Sequence, residues 1–110
     1  MPKQNEYEGM RIINGQTLVR VNGYPLNPRY DLRQHSPTGL EWGYGGSGPA
    51  QLALAILAHE YDDEFAQMYY QDFKWAVIAH LPQRAWNLTS DEIALSLAEL
   101  GISTRVVTYA

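Results

Sequence analysis

Residues 39–58 read GLEWGYGGSGPAQLALAILA. The first half of this stretch carries five of the chain's nine glycines. The second half, Ala50 to Ala58, is apolar on nearly every face of a helix. Such a helix has no side to give to water, so it belongs at the centre of a domain with other elements packed around it. Pro49 suits the first helical position, where its missing N–H costs nothing. Ser47 or Gly48 is the expected cap.

The pattern changes on the C-terminal side. Asp62 or Asp63 caps a second helix and favours its positive end. Phe65, Met68, Tyr69, Phe73, Ala76, Val77 and His80 trace its expected apolar face. Leu81-Pro82 ends it. Thr89 and Glu92 have the spacing of a capping box, with Leu88 and Ile93 as its hydrophobic staple. Ile93, Leu95, Leu97 and Leu100 supply the third helix's apolar side, and Gly101 closes it.

On the N-terminal side, Tyr7–Ile13 and Thr17–Val21 favour strands. Asn14-Gly15 tolerates the positive φ angles of a type I′ hairpin turn, and Asn22-Gly23 gives a second turn signal. Tyr24-Pro25-Leu26 reads as a short edge segment. Ile102–Tyr109 is rich in β-formers and is a candidate strand beside the hairpin. The expected fold is a single α+β domain over residues 1–110, a small antiparallel sheet packed against about three helices.

The chain has 110 residues and no cysteine, which excludes disulfides, thiolate metal sites and cysteine nucleophiles. Hydrophobic residues make up 45 % of it, too many for a disordered chain. The formal net charge of -4 divides into +2 over residues 1–40 and -6 over residues 41–110. Residues 1–9 hold no apolar core of the kind that starts a secretory signal, and no apolar stretch reaches membrane-spanning length. A cytoplasmic protein is therefore expected.

Asn27 to Gly48 is too long for an ordinary connection and concentrates the polar chemistry. Gly45, Gly46, Ser47 and Gly48 before a helix suggest an anion-binding turn. Arg29 or Arg33 would supply its cation, with His35 and Gln51 as further candidates. It is not a P-loop, since no Lys-Ser/Thr follows the last glycine. The competing reading is a tight turn whose glycines let the backbone pack against Trp42.

Asp31, His35 and Ser36 or Ser47 contain the side-chain types of a hydrolytic triad, and Asp31 with Glu41 those of an acid–base pair. The competing reading is that they bond the loop's own backbone, and no catalytic residue is assigned. The run from His59 to Glu64 lacks the spacing of a metal site, so neither metal nor cofactor is expected. Arg20, Arg29 and Arg33 with Tyr30, Trp42 and Tyr44 have the ingredients of a nucleic-acid face, but the net acidity argues against it.

The motif from Arg29 to Ala55, RYDLRxHSPTGxEWGYGGSGPAQLALA, resembles the core of an uncharacterised family of small proteins from bacteria, haloarchaea, plasmids and phages. Phe73-Lys74-Trp75 through Leu81-Pro82 resembles that family's second block. The resemblance runs from about Tyr7 to Ile93 and implies no particular activity. It does suggest a mobile-element protein that acts on a host protein complex, for example a nucleic-acid-guided defence enzyme. Glu60, Asp62, Asp63 and Glu64, joined by Asp72, would form the acidic surface, with Trp42 and Tyr44 as aromatic contacts. The alternative is a protein that binds a phosphate-bearing ligand through the glycine-rich loop, and a small hydrolase stands third.

Overall fold

The computed structural model describes residues 4–104. Four strands form one antiparallel sheet: β1 (Glu6–Arg11), β2 (Thr17–Val21), β3 (Tyr24–Pro25) and β4 (Ala85–Thr89). Their spatial order is β3-β2-β1-β4. Helices α1 (Ser47–Glu60), α2 (Asp63–Ala76) and α3 (Ser90–Glu99) complete the α+β fold, with a 3-10 turn at Ile78–His80.

Alternation along the strands sets the inner face. Tyr7 and Gly9 of β1, Val21 of β2, and Trp86 and Leu88 of β4 are buried, and their neighbours point outward. On the outer face, Met10 pairs with Leu18 and Ala85, and Glu8 pairs with Arg20 and Asn87. The inner face meets α1, where every residue from Gly48 to Ala58 is buried. The all-round apolar pattern thus does what was expected of it.

The first hairpin loop covers Ile12 to Gln16, and of its Asn-Gly pair only Gly15 is left-handed, so the turn is not type I′. At the second turn Asn22 and Gly23 are both left-handed and Val21 pairs with Tyr24, which is the type I′ geometry. β4 is a strand with no counterpart among the sequence expectations. It fills the free side of β1, in the register Tyr7↔Leu88 and Gly9↔Trp86. Gly9 is required there, because a Cβ would lie 2.7 Å from Trp86 Cζ2. The candidate C-terminal strand falls mostly on residues 105–110, outside the described residues, and residues 102–104 are not in a strand.

Helix ends carry three of the sharper expectations. Asp62 caps α2, accepting from the Phe65 N–H at 2.7 Å. Thr89 and Glu92 make both bonds of the capping box on α3. α1 differs: it starts at Ser47 with Gly46 in the cap position, so Pro49 occupies the third helical position. The N–H that Pro49 lacks is still one the helix would leave unpaired.

The apolar faces also differ in detail. Met68, Leu95 and Leu100 are exposed. α2 buries Phe73 as expected, with Ala66, Tyr70 and Lys74 beside it, and α3 buries Ile93 and Leu97 as expected. His80 sits in the 3-10 turn rather than on α2.

Candidate functional site

The long loop is ordered by one side chain. Gln51, fully buried in α1, bonds four backbone groups of the loop. Its Oε1 accepts from the N–H of His35 at 2.7 Å and of Ser36 at 3.3 Å. Its Nε2 donates to the carbonyls of Pro28 at 2.7 Å and Arg33 at 2.9 Å. A primary amide is the side chain that presents both acceptor and donors at this reach. A loop with interior backbone needs such an internal partner.

Each carboxylate of the loop has its own arginine. Arg11 grips Glu41 with two bonds of 2.8 and 2.9 Å, and its guanidinium stacks 5.0 Å from the centroid of a Trp42 ring. Arg29, left-handed at φ 60°, bridges Asp31 on the loop and Asp63 at the start of α2. The arginine bonds hold the carboxyls of Asp31 and Glu41 below their ordinary values. Neither is a protonated acid at neutral pH, which an acid–base pair would require.

Nor do the triad types converge. His35 Nε2 is 2.7 Å from the Tyr70 hydroxyl, and Asp31 belongs to Arg29. Ser36 is buried with its Oγ 3.4 Å from Thr38 Oγ1. Ser47 is exposed at the start of α1. Burial, followed by the charges of Arg33 and Lys74, pushes His35 below its ordinary value.

The anion-turn candidates separate into two groups. Gln51, His35 and the backbone of Arg33 lie against the first turns of α1. Arg29 is tied to Asp63, beyond the far end of that helix. A helix rises 1.5 Å per residue, so Ser47 and Glu60 are about 20 Å apart. Gly45 and Gly46 carry aromatic rings: a Cβ on Gly45 would collide with Trp75, and one on Gly46 would lie 2.6 Å from Tyr44 Cε2. A Cβ on Gly48 would lie 2.6 Å from Glu41 Cβ.

The partner-surface candidates are equally divided. Trp42 must be withdrawn from that set, because it is fully buried. It packs edge-on against Trp86 and donates from its indole to the Gln83 carbonyl at 3.0 Å. Glu60 is drawn inward: its Oε1 accepts from Tyr7, Ser90 and Asn5. Tyr7 also touches His59 Nδ1 at 2.8 Å, and burial together with Glu60 pushes its hydroxyl pKa up. Asp62 is the α2 cap and Asp63 pairs with Arg29. Glu64, Asp72 and Tyr44 are exposed. Among the described residues no three His, Asp or Glu side chains group as a metal site.

Arg11, Tyr70, Lys74 and Trp75 are participants that the sequence reading passed over. Tyr70, Phe73 and Lys74 share the three-and-four spacing of a buried helix face, and that spacing was the available signal for Lys74.

No curated protein and no solved structure matches the chain. The model of a family of unknown function, DUF6166, matches residues 7–99, and the chain belongs to that family.

Proposed function

We propose that this is a small non-catalytic binding protein that occupies a surface on a basic partner protein. One observation carries the reading, the outer stripe of α2. Glu64, Met68, Asp72 and Trp75 recur at intervals of four, four and three, and all four are exposed. Met68 is 61 % and Trp75 57 % exposed. Tyr44, 50 % exposed, lies on Gly46 beside the Trp75–Gly45 contact and extends the stripe. Large aromatics and methionine are enriched in interface centres. The two acids would steer the surface toward a basic partner.

In its finer form the reading is of a cytoplasmic, mobile-element-associated protein acting against a nucleic-acid-guided host complex. Such a complex offers the basic surface that the stripe would meet. The engaged carboxylates Glu60, Asp62 and Asp63 then serve the fold, while Glu64 and Asp72 serve the contact.

The test is affinity capture from a host extract with the full chain, beside a Met68→Ser/Trp75→Gln variant and a Glu64→Gln/Asp72→Asn variant. A partner recovered by the parent protein and lost from both variants, with their folds intact by circular dichroism, is the expected result. Equal recovery by all three would refute the stripe as the contact.

A further inference from the structure

The hydrogen-bond phase of the sheet decides which backbone groups its edges offer. In an antiparallel ladder, residue pairs that exchange hydrogen bonds alternate with pairs that do not. At the two ends of the β1–β4 ladder, the Arg11 N–H donates to the Arg84 carbonyl at 2.9 Å and the Ser90 N–H to the Asn5 carbonyl at 3.0 Å. Counting inward by twos in the register, Trp86 and Leu88 are the β4 residues that bond β1. The N–H and C=O groups of Ala85 and Asn87 therefore point away from β1, along the outer edge of the sheet. β4 ends the strand order and both residues are exposed. No backbone group of the described residues bonds them there. Thr89 also faces outward, but its N–H is taken by Glu92.

The opposite edge is closed to a further strand. β3 has two residues. The Leu26 N–H donates to the Val19 carbonyl at 3.1 Å, so by the same counting Tyr24 bonds β2 and Pro25 faces out, with no N–H to offer. β4, reading AWNLT, has neither proline nor charge to guard its edge.

A second copy of β4 fits that edge. A two-fold axis through Trp86 sets Ala85 of each copy opposite Asn87 of the other. Each such pair exchanges two hydrogen bonds, so every outward N–H and carbonyl of Ala85 and Asn87 is filled. The flanking charges favour the same antiparallel alignment. Arg84 precedes β4 and is exposed, with no ion pair among the described residues. Asp91 and Glu92 follow β4 in the first turn of α3. Antiparallel pairing brings the basic end of one copy toward the acidic end of the other, whereas a parallel one would bring like toward like. The outer-face side chains also meet without conflict. Leu18, Met10 and Ala85 lie across from one another on β2, β1 and β4. Asn87, Glu8 and Arg20 of the second copy would continue that row, with only alanine against asparagine at the seam.

We infer that β4 is a self-association edge, through which two copies of this chain join their sheets into one antiparallel sheet of eight strands. The inference stands apart from the partner reading, because it uses no residue of the α2 stripe.

The test is sedimentation velocity of the full chain across the micromolar range. A species of twice the 12.5 kDa chain mass is expected. Asn87→Pro deletes an outward N–H and no bond to β1, so it should keep its circular dichroism and sediment as a monomer. Ala85→Lys keeps every N–H but charges the seam, and it should also be monomeric, which covers a proline variant that fails to fold. Arg84→Glu should raise the dimer Kd about tenfold at low salt. Hydrogen exchange reads the parent protein directly, since the Ala85 and Asn87 amides should gain protection as concentration rises through the dimer transition. A monomeric parent, a dimer unchanged in both edge variants, or exchange at Ala85 and Asn87 that ignores concentration would each overturn the inference. So would protection of those amides in a monomer that disappears when residues 105–110 are removed, which would give the edge to the chain's own C-terminal segment.

Discussion

Replacing Gln51 by leucine keeps the shape of a buried residue and removes all four bonds to the loop. Three of those bonds are short, at 2.7, 2.7 and 2.9 Å, and the fourth is 3.3 Å. Taking about 1 kcal/mol for each short bond and little for the long one gives a loss of about 3 kcal/mol. A domain of this size has about 5–15 kcal/mol in all. With a urea m-value of about 1.5 kcal/mol/M, the unfolding midpoint falls by about 2 M. The amides of His35 and Ser36 should lose most of their hydrogen-exchange protection under native conditions. Gln51→Glu separates donor from acceptor. It keeps acceptors for the two amides but turns a carboxylate toward the carbonyls of Pro28 and Arg33. Burial raises that new carboxyl's folded pKa above its unfolded value. The variant is therefore least impaired below the unfolded pKa, and its stability falls as pH rises through the folded one. A Gln51→Leu midpoint within about 0.5 M of the parent would show that the loop does not depend on this side chain.

Four further outcomes follow from contacts already described. Gly9→Ala, which drives a Cβ into Trp86, should cost about 2 kcal/mol in urea unfolding and shift tryptophan fluorescence. Thr89→Ala removes a capping-box bond and should cost about 1 kcal/mol by the same measurement. Arg11 holds the Glu41 carboxyl below its ordinary value, so the stabilisation is present above the unfolded pKa and is lost as pH falls through the folded one. Glu41→Gln should consequently show a flatter loss of stability below about pH 4 than the parent protein. Tyr7→Phe removes a buried donor to Glu60 and should cost about 1–2 kcal/mol, with the His59 ring resonances displaced in NMR.

The parts of the fold that local rules govern were legible. A nonamer that is apolar at every position but Gln51 has one place to go, and a capping box is defined by two residues three apart. β4 was missed although Trp86 and Leu88 alternate with Ala85, Asn87 and Thr89. Thr89 carries a helix-start signal that competes with the strand pattern, and five residues are a short base for a period of two. The loop was recognisable as unusual, but its partners were not. Which arginine takes which carboxylate depends on pairs as distant as Arg11 with Glu41 and Arg29 with Asp63. Trp42 shows the same limit: an aromatic among glycines reads as surface or core equally well until β4 supplies Trp86 to pack on it.

The place of β4 has a consequence for how the molecule is made. β1 lies between β2, which follows after one hairpin, and β4, whose Leu88 stands opposite Tyr7. Half of the ladder on β1 is thus drawn from the last quarter of the chain. While the chain is being synthesised, the N-terminal hairpin must wait with one side of β1 unpaired and its inner face bare until Ala85–Thr89 has been made. Closing so wide an interval before any reward in contact energy slows folding. The unpaired side of β1 is also, for that interval, a template for another chain. The Asn5 and Ser90 contacts at the end of that ladder are then the latch that ends the exposure.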